Sequence, residues 1–413
     1  MIKAFLLLSL AVLSIQANFN LEHIKVRRGI IDSYMEGSPK ELFKVFHLVF
    51  EKPYNLNSEA AIAKYRVFKK NLLRIKEHNA SGKSWTLEIN FFADMTKEEV
   101  KAYMGLKPVG DADVSLESLI KEKNFDLFDD LVEREERRKL KGLSFFDELA
   151  DKDDEPVPPK DDDDEPVPPK DDDDEPIPPK QYKSFSHLAF LTPPRSQGSC
   201  GSCWAFAAAS AIESNYNIVR KKKNVSSNGY ISVQSILDCN EKKYECEGGW
   251  MNAAISYVAK FGAVLESDYP YEERKTECRE TKKQNDIKFQ KNKPFDGCAF
   301  HSSFDAKPCT KDSFYRILRK GPATVILMAE DNFMSYREGT LDPSQIEGCD
   351  SYNHAVLAYG WSIETDKDGN EREVISIRNS WGSDWGNEGN IKYYYDDNGS
   401  CYITKLAFRP NLV

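Results

Sequence analysis

Gln197-Gly198-Ser199-Cys200-Gly201-Ser202-Cys203-Trp204-Ala205-Phe206-Ala207-Ala208-Ala209-Ser210-Ala211-Ile212-Glu213 is a glycine-bearing turn that runs into an apolar stretch of good helix formers. That order predicts a helix with Cys203 at its start. Unpaired N–H groups and the positive end of the helix dipole favour an anion there, so the thiol is expected to ionise below its free value of about 8.5. A thiolate nucleophile also needs an imidazole, both as counter-charge and as proton donor to a leaving amine. Beyond residue 180 the histidines are His187, in a polar lead-in, His301, between two cysteines, and His354, in the strand-like run Asn353-His354-Ala355-Val356-Leu357-Ala358-Tyr359-Gly360-Trp361. His354 is the candidate base. Asn379, in Arg378-Asn379-Ser380-Trp381-Gly382-Ser383-Asp384-Trp385-Gly386, offers an amide to orient the ring, and Trp381 can shield that bond from water.

The Cys-Gly-Ser-Cys-Trp string, followed at 151 residues by His354 and at 176 by Asn379, resembles the papain family of cysteine proteases, the cathepsins included. The histidine spacing lies at the edge of that family's range and the asparagine spacing beyond it, an excess that an insertion would explain. The resemblance implies that Cys203 is the nucleophile, His354 the general acid and base, and Asn379 the orienter. It implies that Gln197 gives its side-chain amide to an oxyanion hole shared with the Cys203 N–H. The competing reading, a buried structural thiol and a satisfied core histidine, has to treat four ordered elements as coincidence.

Nine cysteines less Cys203 leave eight, and eight allow 105 pairings that sequence cannot rank. The resemblance implies Cys200 with Cys246, Cys239 with Cys278, and Cys349 with Cys401, leaving Cys298 and Cys309 to close a short loop that common family members lack. A metal site finds no suitable Cys and His spacing, and no cofactor is called for. His301 in that loop raises the thought of the histidine-bearing loop of cathepsin B-like exopeptidases, but here there is one histidine and the loop falls later.

Lys3 precedes the apolar run Phe5-Leu6-Leu7-Leu8-Ser9-Leu10-Ala11-Val12-Leu13, and small Ala17 follows, the pattern of a signal peptide over residues 1–17. The run is too short to span a bilayer. Asn79-Ala80-Ser81, Asn224-Val225-Ser226 and Asn398-Gly399-Ser400 fit the glycosylation triplet.

Charge divides the chain. Residues 1–110 carry 17 Lys and Arg against 11 Asp and Glu, residues 111–180 carry 11 against 26, and the rest is nearly balanced at 29 against 30. In the first region Phe68, Asn71, Ile75 and Asn79 recur at helical spacing, and Asn90-Phe91-Phe92-Ala93-Asp94 follows. This resembles the inhibitory propeptide of cathepsin L-like enzymes, with Ala60 and Lys64 where that family has a Glu and an Arg, so their ion pair is lost. Residues 18–110 are therefore expected to be a helical propeptide. Residues 111–180 hold the decapeptide repeat of Asp151 to Lys180 behind an amphipathic stretch from Leu116 to Leu131. Clustered proline and like charge predict an extended, solvated spacer.

From residue 181 on, helix-compatible runs at 203–219 and 249–260 give way to strand patterns near 323–328, 354–361, 373–379 and 390–395. The class is α+β. The resemblance implies two lobes, one helical with Cys203 and one antiparallel and barrel-like with His354 and Asn379, facing across a cleft. Gly248 and Gly249 would let a peptide backbone approach. Trp250, Met251, Ile326, Ala355 and Leu406 would wall the pocket two residues before the scissile bond, favouring an apolar side chain, and Trp385 would lie on the leaving-group side. Tyr402 stands where the family has a glycine after the last cysteine, and Lys183-Ser184-Phe185-Ser186 where it has Asp-Trp-Arg.

The expected partners are polypeptide substrates, the chain's own propeptide and cystatin-like inhibitors, with the protein a monomer in the secretory pathway, extracellular or lysosomal. Nucleic acid is not implied, because the one basic cluster, Arg220 to Lys223, is short. Two other functions compete with an endopeptidase zymogen: an idle relative binding through its acidic repeat, and a source of free inhibitory propeptide.

Overall fold

The protein is described from a computed structural model covering residues 21–106 and 182–413, apart from 224–228, 241–244, 280, 282, 285, 305, 347–348, 350 and 399. The expected signal peptide, the 111–180 spacer with its repeat, and the Asn224 triplet lie outside the described residues. No helix among the described residues is long and apolar enough to cross a membrane.

The amino-terminal region is helical, as its periodicity predicts: α1 (Leu21–Ser33), α2 (Pro39–Val49) and α3 (Glu59–Ala80), followed by a short strand β1 (Trp85–Leu87). Ser38 and Ser58 cap α2 and α3 by accepting the Glu41 and Ala61 N–H groups. Leu42, Phe43 and Phe46 of α2 meet Phe68, Leu72 and Ile75 of α3 in a buried seam, with Phe46 and Phe68 rings 4.9 Å apart. Each such side chain contributes about 1.5–3 kcal/mol by leaving water.

The motif asparagines of α3 hold main chain. The Asn71 amide donates to Ala93 O, and Asn79 exchanges two hydrogen bonds with the Leu87 backbone. The ion pair that Ala60 and Lys64 cannot make is replaced rather than lost. Lys64 reaches Glu99 at 2.5 Å, and Lys52 meets Asp94 at 2.9 Å in a buried pair that the Tyr54 hydroxyl also joins. Removing either member of that buried pair would strand a charge.

In the larger region α4 (Cys203–Val219) is buried along nearly its whole length, with α5 (Val233–Cys239) and α6 (Met251–Phe261) beside it. Then come β3 (Phe295–Ala299), α7 (Lys311–Lys320), β4 (Ala323–Leu327), β5 (Tyr336–Leu341), β6 (His354–Thr365), β7 (Glu371–Arg378), β8 (Asn390–Tyr394) and β9 (Leu406–Pro410), while β2 (Phe185–Ser186) adds to β6. The sheet runs β1-β5-β8-β7-β6-β4-β9-β3. The mixed α+β class stands, but the barrel-like lobe needs correcting. The sheet is open, and its β5–β8 contact is parallel through two register pairs, Thr340–Lys392 and Leu341–Tyr393. The other edge of β5 is taken by β1, so the propeptide extends the catalytic sheet instead of the sheet closing on itself.

The disulfides are Cys200–Cys246, Cys239–Cys278 and Cys349–Cys401, the pairs the resemblance implies, and Cys298–Cys309, the pair it left over; Cys203 is free.

Candidate active site

Cys203 is the first residue of α4 and is wholly buried, and His354 is the first residue of β6 and equally buried. The Ala355 N–H lies 3.4 Å from the Cys203 sulfur, so the thiol sits against the start of β6. His354 Nε2 lies 2.8 Å from Asn379 Oδ1. The Ser380 backbone N–H donates to the same Oδ1 at 2.8 Å, which fixes the amide with its oxygen toward the ring. Nε2 must then carry the proton, leaving Nδ1 as the bare lone pair, buried and with no partner among the described residues. The Trp381 ring covers the imidazole at 4.7 Å, and Phe333 backs Trp381 at 5.3 Å. These rings keep water from the His354–Asn379 bond.

The Gln197 side chain is held by both ends. Its Oε1 accepts from the Ser380 hydroxyl at 2.7 Å, while its Nε2 donates to Cys200 O at 2.8 Å and to Tyr103 O at 3.0 Å. Tyr271 braces the turn by donating to Gln197 O, and its hydroxyl meets Ser202 Oγ at 2.6 Å. Neither Ser380 nor Tyr271 was legible as a support from sequence, since each acts across a long separation.

A propeptide strap runs over this constellation. The Gly249 N–H donates to Gly105 O at 3.1 Å, and the Leu106 N–H to Asn353 O at 3.3 Å. A Cβ on Gly105 would fall 1.8 Å from Gly201 O and 3.1 Å from the Cys203 sulfur, so only glycine passes here. Gly248, at φ 117°, faces the same strap, and a Cβ there would come within 3.0 Å of the Gly105 carbonyl. The expectation that Gly248 and Gly249 admit a peptide backbone thus has a direct counterpart. Tyr103, Met104, Gly105 and Leu106 are contacts that sequence reasoning missed, because no local signal marks them.

Burial reverses the expected ionisation. Burial pushes the Cys203 thiol up to about 12, against the backbone N–H groups of Ala355, Gly105, Trp204 and Cys203 that favour the anion. Burial likewise drives His354 down to about 4, opposed only by Asn379. The thiolate–imidazolium pair expected from the helix terminus is therefore not the state of this covered site: desolvation outweighs the dipole.

Ile326 and Ala355 are register partners across β4 and β6, and Leu406 opens β9 opposite Ala299; with Trp250 and Met251 they are all fully buried. Trp385 donates its indole N–H to Met334 O and, with Trp381, borders a crevice of about 1270 Å³ between propeptide and catalytic region. The other two histidines stand elsewhere. His187 is bonded to Leu318 O, and exposed His301 bonds Ser303 within its own loop.

Residues 179–411 match the family described as papain family cysteine protease, and residues 43–100 match the cathepsin propeptide inhibitor domain (I29). The chain is 28% identical to cysteine protease XCP2 of Arabidopsis thaliana over 98% of its length and 95% of the relative's. It is 26% identical to papain of Carica papaya, over 90% and 86%. Among solved structures it resembles the digestive procathepsin L2 proteinase of Tenebrio molitor larval midgut with a TM-score of 0.61 and 27% identity, covering 91% of this chain and all of that one.

Proposed function

As the chain belongs to the papain family of cysteine proteases and carries that family's inhibitory propeptide domain, we propose that Cys203, His354, Asn379 and Gln197 perform its peptide-bond hydrolysis. It is a protease made as a zymogen. His354 Nδ1 takes the thiol proton, the sulfur attacks the substrate carbonyl, and the Gln197 amide with the Cys203 N–H receives the developing oxyanion. The imidazolium then protonates the leaving amine, and water hydrolyses the acyl-enzyme. The observation that carries this reading is the fixed Asn379 amide, which sets the tautomer of His354 and leaves Nδ1 free.

The strap engages both groups: the Gly105 N–H lies toward the Cys203 sulfur, and the Gln197 amide donates to the Tyr103 carbonyl.

The regions are read as signal peptide 1–17, propeptide 18–110, acidic spacer 111–180 and catalytic domain 181–413. Tyr182 is buried against Tyr315 and Trp361, and Phe185–Ser186 pairs with β6, so maturation should cut before Tyr182. Four disulfides fit the secretory pathway, with the extracellular space or the lysosome as destination. Polypeptides with an apolar residue two before the scissile bond are the substrates, cystatin-like proteins the expected inhibitors, and the monomer the expected state.

An epoxide thiol reagent tests the assignment. Acid-activated protein should gain one covalent increment, located on Cys203, and Cys203→Ser should neither label nor hydrolyse peptides. Hydrolysis surviving in Cys203→Ser would refute it.

A further inference from the structure

The crevice of about 1270 Å³ beside Trp381 runs from the strap to a charged seat that the mechanism does not use. Along the strap, Tyr103 meets Gln197, Gly105 meets Cys203, and Leu106 leads away to Gly249 and Asn353. Tyr103 is thus the end that faces the crevice. Its ring lies 4.9 Å from Phe92, which lies 5.0 Å from Trp381. With Gly248 and Gly249 taking the residues before the scissile bond, the crevice lies where the residues after it must pass.

At the far end the turn from Gly382 to Gly386 seats two guanidinium groups. Asp384 Oδ2 accepts from Arg27 at 2.6 Å, and Arg28 donates to the carbonyls of Asp384 and Gly386. Both arginines belong to α1 and leave with the propeptide. Among the described residues, no cation of the catalytic region pairs with Asp384.

The catalytic region supplies the crevice with one cation, Arg195, already held by Glu213 at 2.7 Å and by Glu266 at 3.8 Å. Glu273 lines the crevice nearer Gln197. It lies against Gly198, where a Cβ would fall 2.1 Å from its carboxyl carbon, and no ion pair holds it among the described residues. Release of the propeptide therefore uncovers a groove whose free charges are carboxylates. A groove of one sign attracts and orients the opposite charge.

We propose that this groove is a subsite for basic side chains: Asp384, helped by Glu273, selects Lys or Arg among the residues that follow the scissile bond, and Arg27 fills the same seat in the zymogen. This rests on the protease assignment above and adds a substrate feature on the leaving-group side. Partly exposed ion pairs contribute little singly and are screened by salt, so the selection is moderate and salt-sensitive.

The test uses acid-activated protein and two internally quenched peptides, identical except for Lys or Glu at the second and third positions after the scissile bond. The parent protein should favour the Lys peptide about tenfold in kcat/KM, chiefly through KM, and high salt should shrink that ratio. Asp384→Asn should lower the ratio about threefold, Asp384→Glu should restore it, and Asp384→Lys should turn it toward the Glu peptide. Glu273→Gln should lower it by a smaller factor, which covers the case in which the Asp384 variants do not fold. A ratio near one in the parent protein overturns the inference, as does a ratio unmoved in folded Asp384→Asn or, failing that variant, in Glu273→Gln. Cys203→Ser assayed in parallel separates the two levels: hydrolysis lost there with the ratio unmoved elsewhere sinks only the subsite, whereas hydrolysis kept there sinks the protease assignment beneath it.

Discussion

At the scale of single residues, what decides the state of the site is whether Cys203 and His354 see water. With the thiol pushed up to about 12 and the imidazole down to about 4, both are neutral throughout the ordinary pH range. Uncovering the site moves one proton from sulfur to ring, so the coupled pair keeps its proton count and this step adds no acid dependence of its own near neutrality. Alkylation of Cys203 in the intact zymogen should accordingly be slow and flat between about pH 6 and 9, and faster by a factor on the order of a hundred once the propeptide is gone. Gly105→Ala should raise the zymogen's rate toward that of the free enzyme, because its methyl cannot coexist with the Gly201 carbonyl. Mass-resolved iodoacetamide kinetics would check both; a slow, flat Gly105→Ala zymogen would show that the strap does not govern reactivity. That Cys203, His354, Asn379 and Gln197 come together was legible because each sits in a local string that chemistry constrains. Their protonation was not, because it depends on burial, which no local string encodes.

At the scale of elements, α3 and β1 hold two buried groups that titrate in opposite senses. His78 on α3 packs on Trp85 at 4.1 Å, with its Nε2 near Trp85 O; burial lowers its pKa, and nearby Lys83 and Arg74 act the same way. A loosened propeptide would return it to about 6.5, so the loosened state takes up the proton first. The stability His78 lends is present above that value and is lost as pH falls through it. Glu88, just after β1, pairs with Arg28 at 2.8 Å yet is raised by burial to about 7, with Arg28 and Arg337 opposing the shift and Asp32 adding to it. Here the docked state takes up the proton first, so docking gains as pH falls from about 7 toward 4.5. His78→Gln should move the midpoint of propeptide release to lower pH, and Glu88→Gln, which mimics the protonated acid that docking favours, should strengthen docking above about pH 7 and leave it nearly unchanged below about 4.5. Activity appearance across a pH series reads both, and release at a higher pH than in the parent protein, in either variant, would contradict this account. Helices α4 and α6, the later turns of α3, and strands β4, β6, β7 and β8 were legible from periodicity. The β1–β5 pairing was not, since it joins three residues of one region to a strand of another through contacts no local pattern encodes.

At the scale of the whole molecule, the propeptide and catalytic region pack together within one compact unit. Its seam contains Arg27–Asp384 at 2.6 Å, Arg337–Asp32 at 3.0 Å, Arg74 donating to Asn332 and Ser335, the β1–β5 ladder and the strap over Cys203. We therefore read residues 111–180 as a tether between parts that grip each other without it. A tether raises effective concentration to roughly the millimolar range, but adds no contact of its own. Cutting it therefore should not activate the enzyme directly. A site-specific protease sequence inserted between residues 151 and 180, cleaved at neutral pH, should leave propeptide and catalytic unit co-eluting and inactive. Acidification or dilution below the dissociation constant should then liberate activity. The net charge of −15 on residues 111–180, facing +6 on residues 1–110, suggests a second role, in which the spacer's carboxylates hold the propeptide until they protonate. The two roles separate cleanly. Deleting residues 151–180 should leave the pH profile of self-processing unchanged if the segment is only a tether, and shift it toward higher pH if the acidic repeat clamps the propeptide, because the contact removed is one that favours the closed state above the carboxylate range.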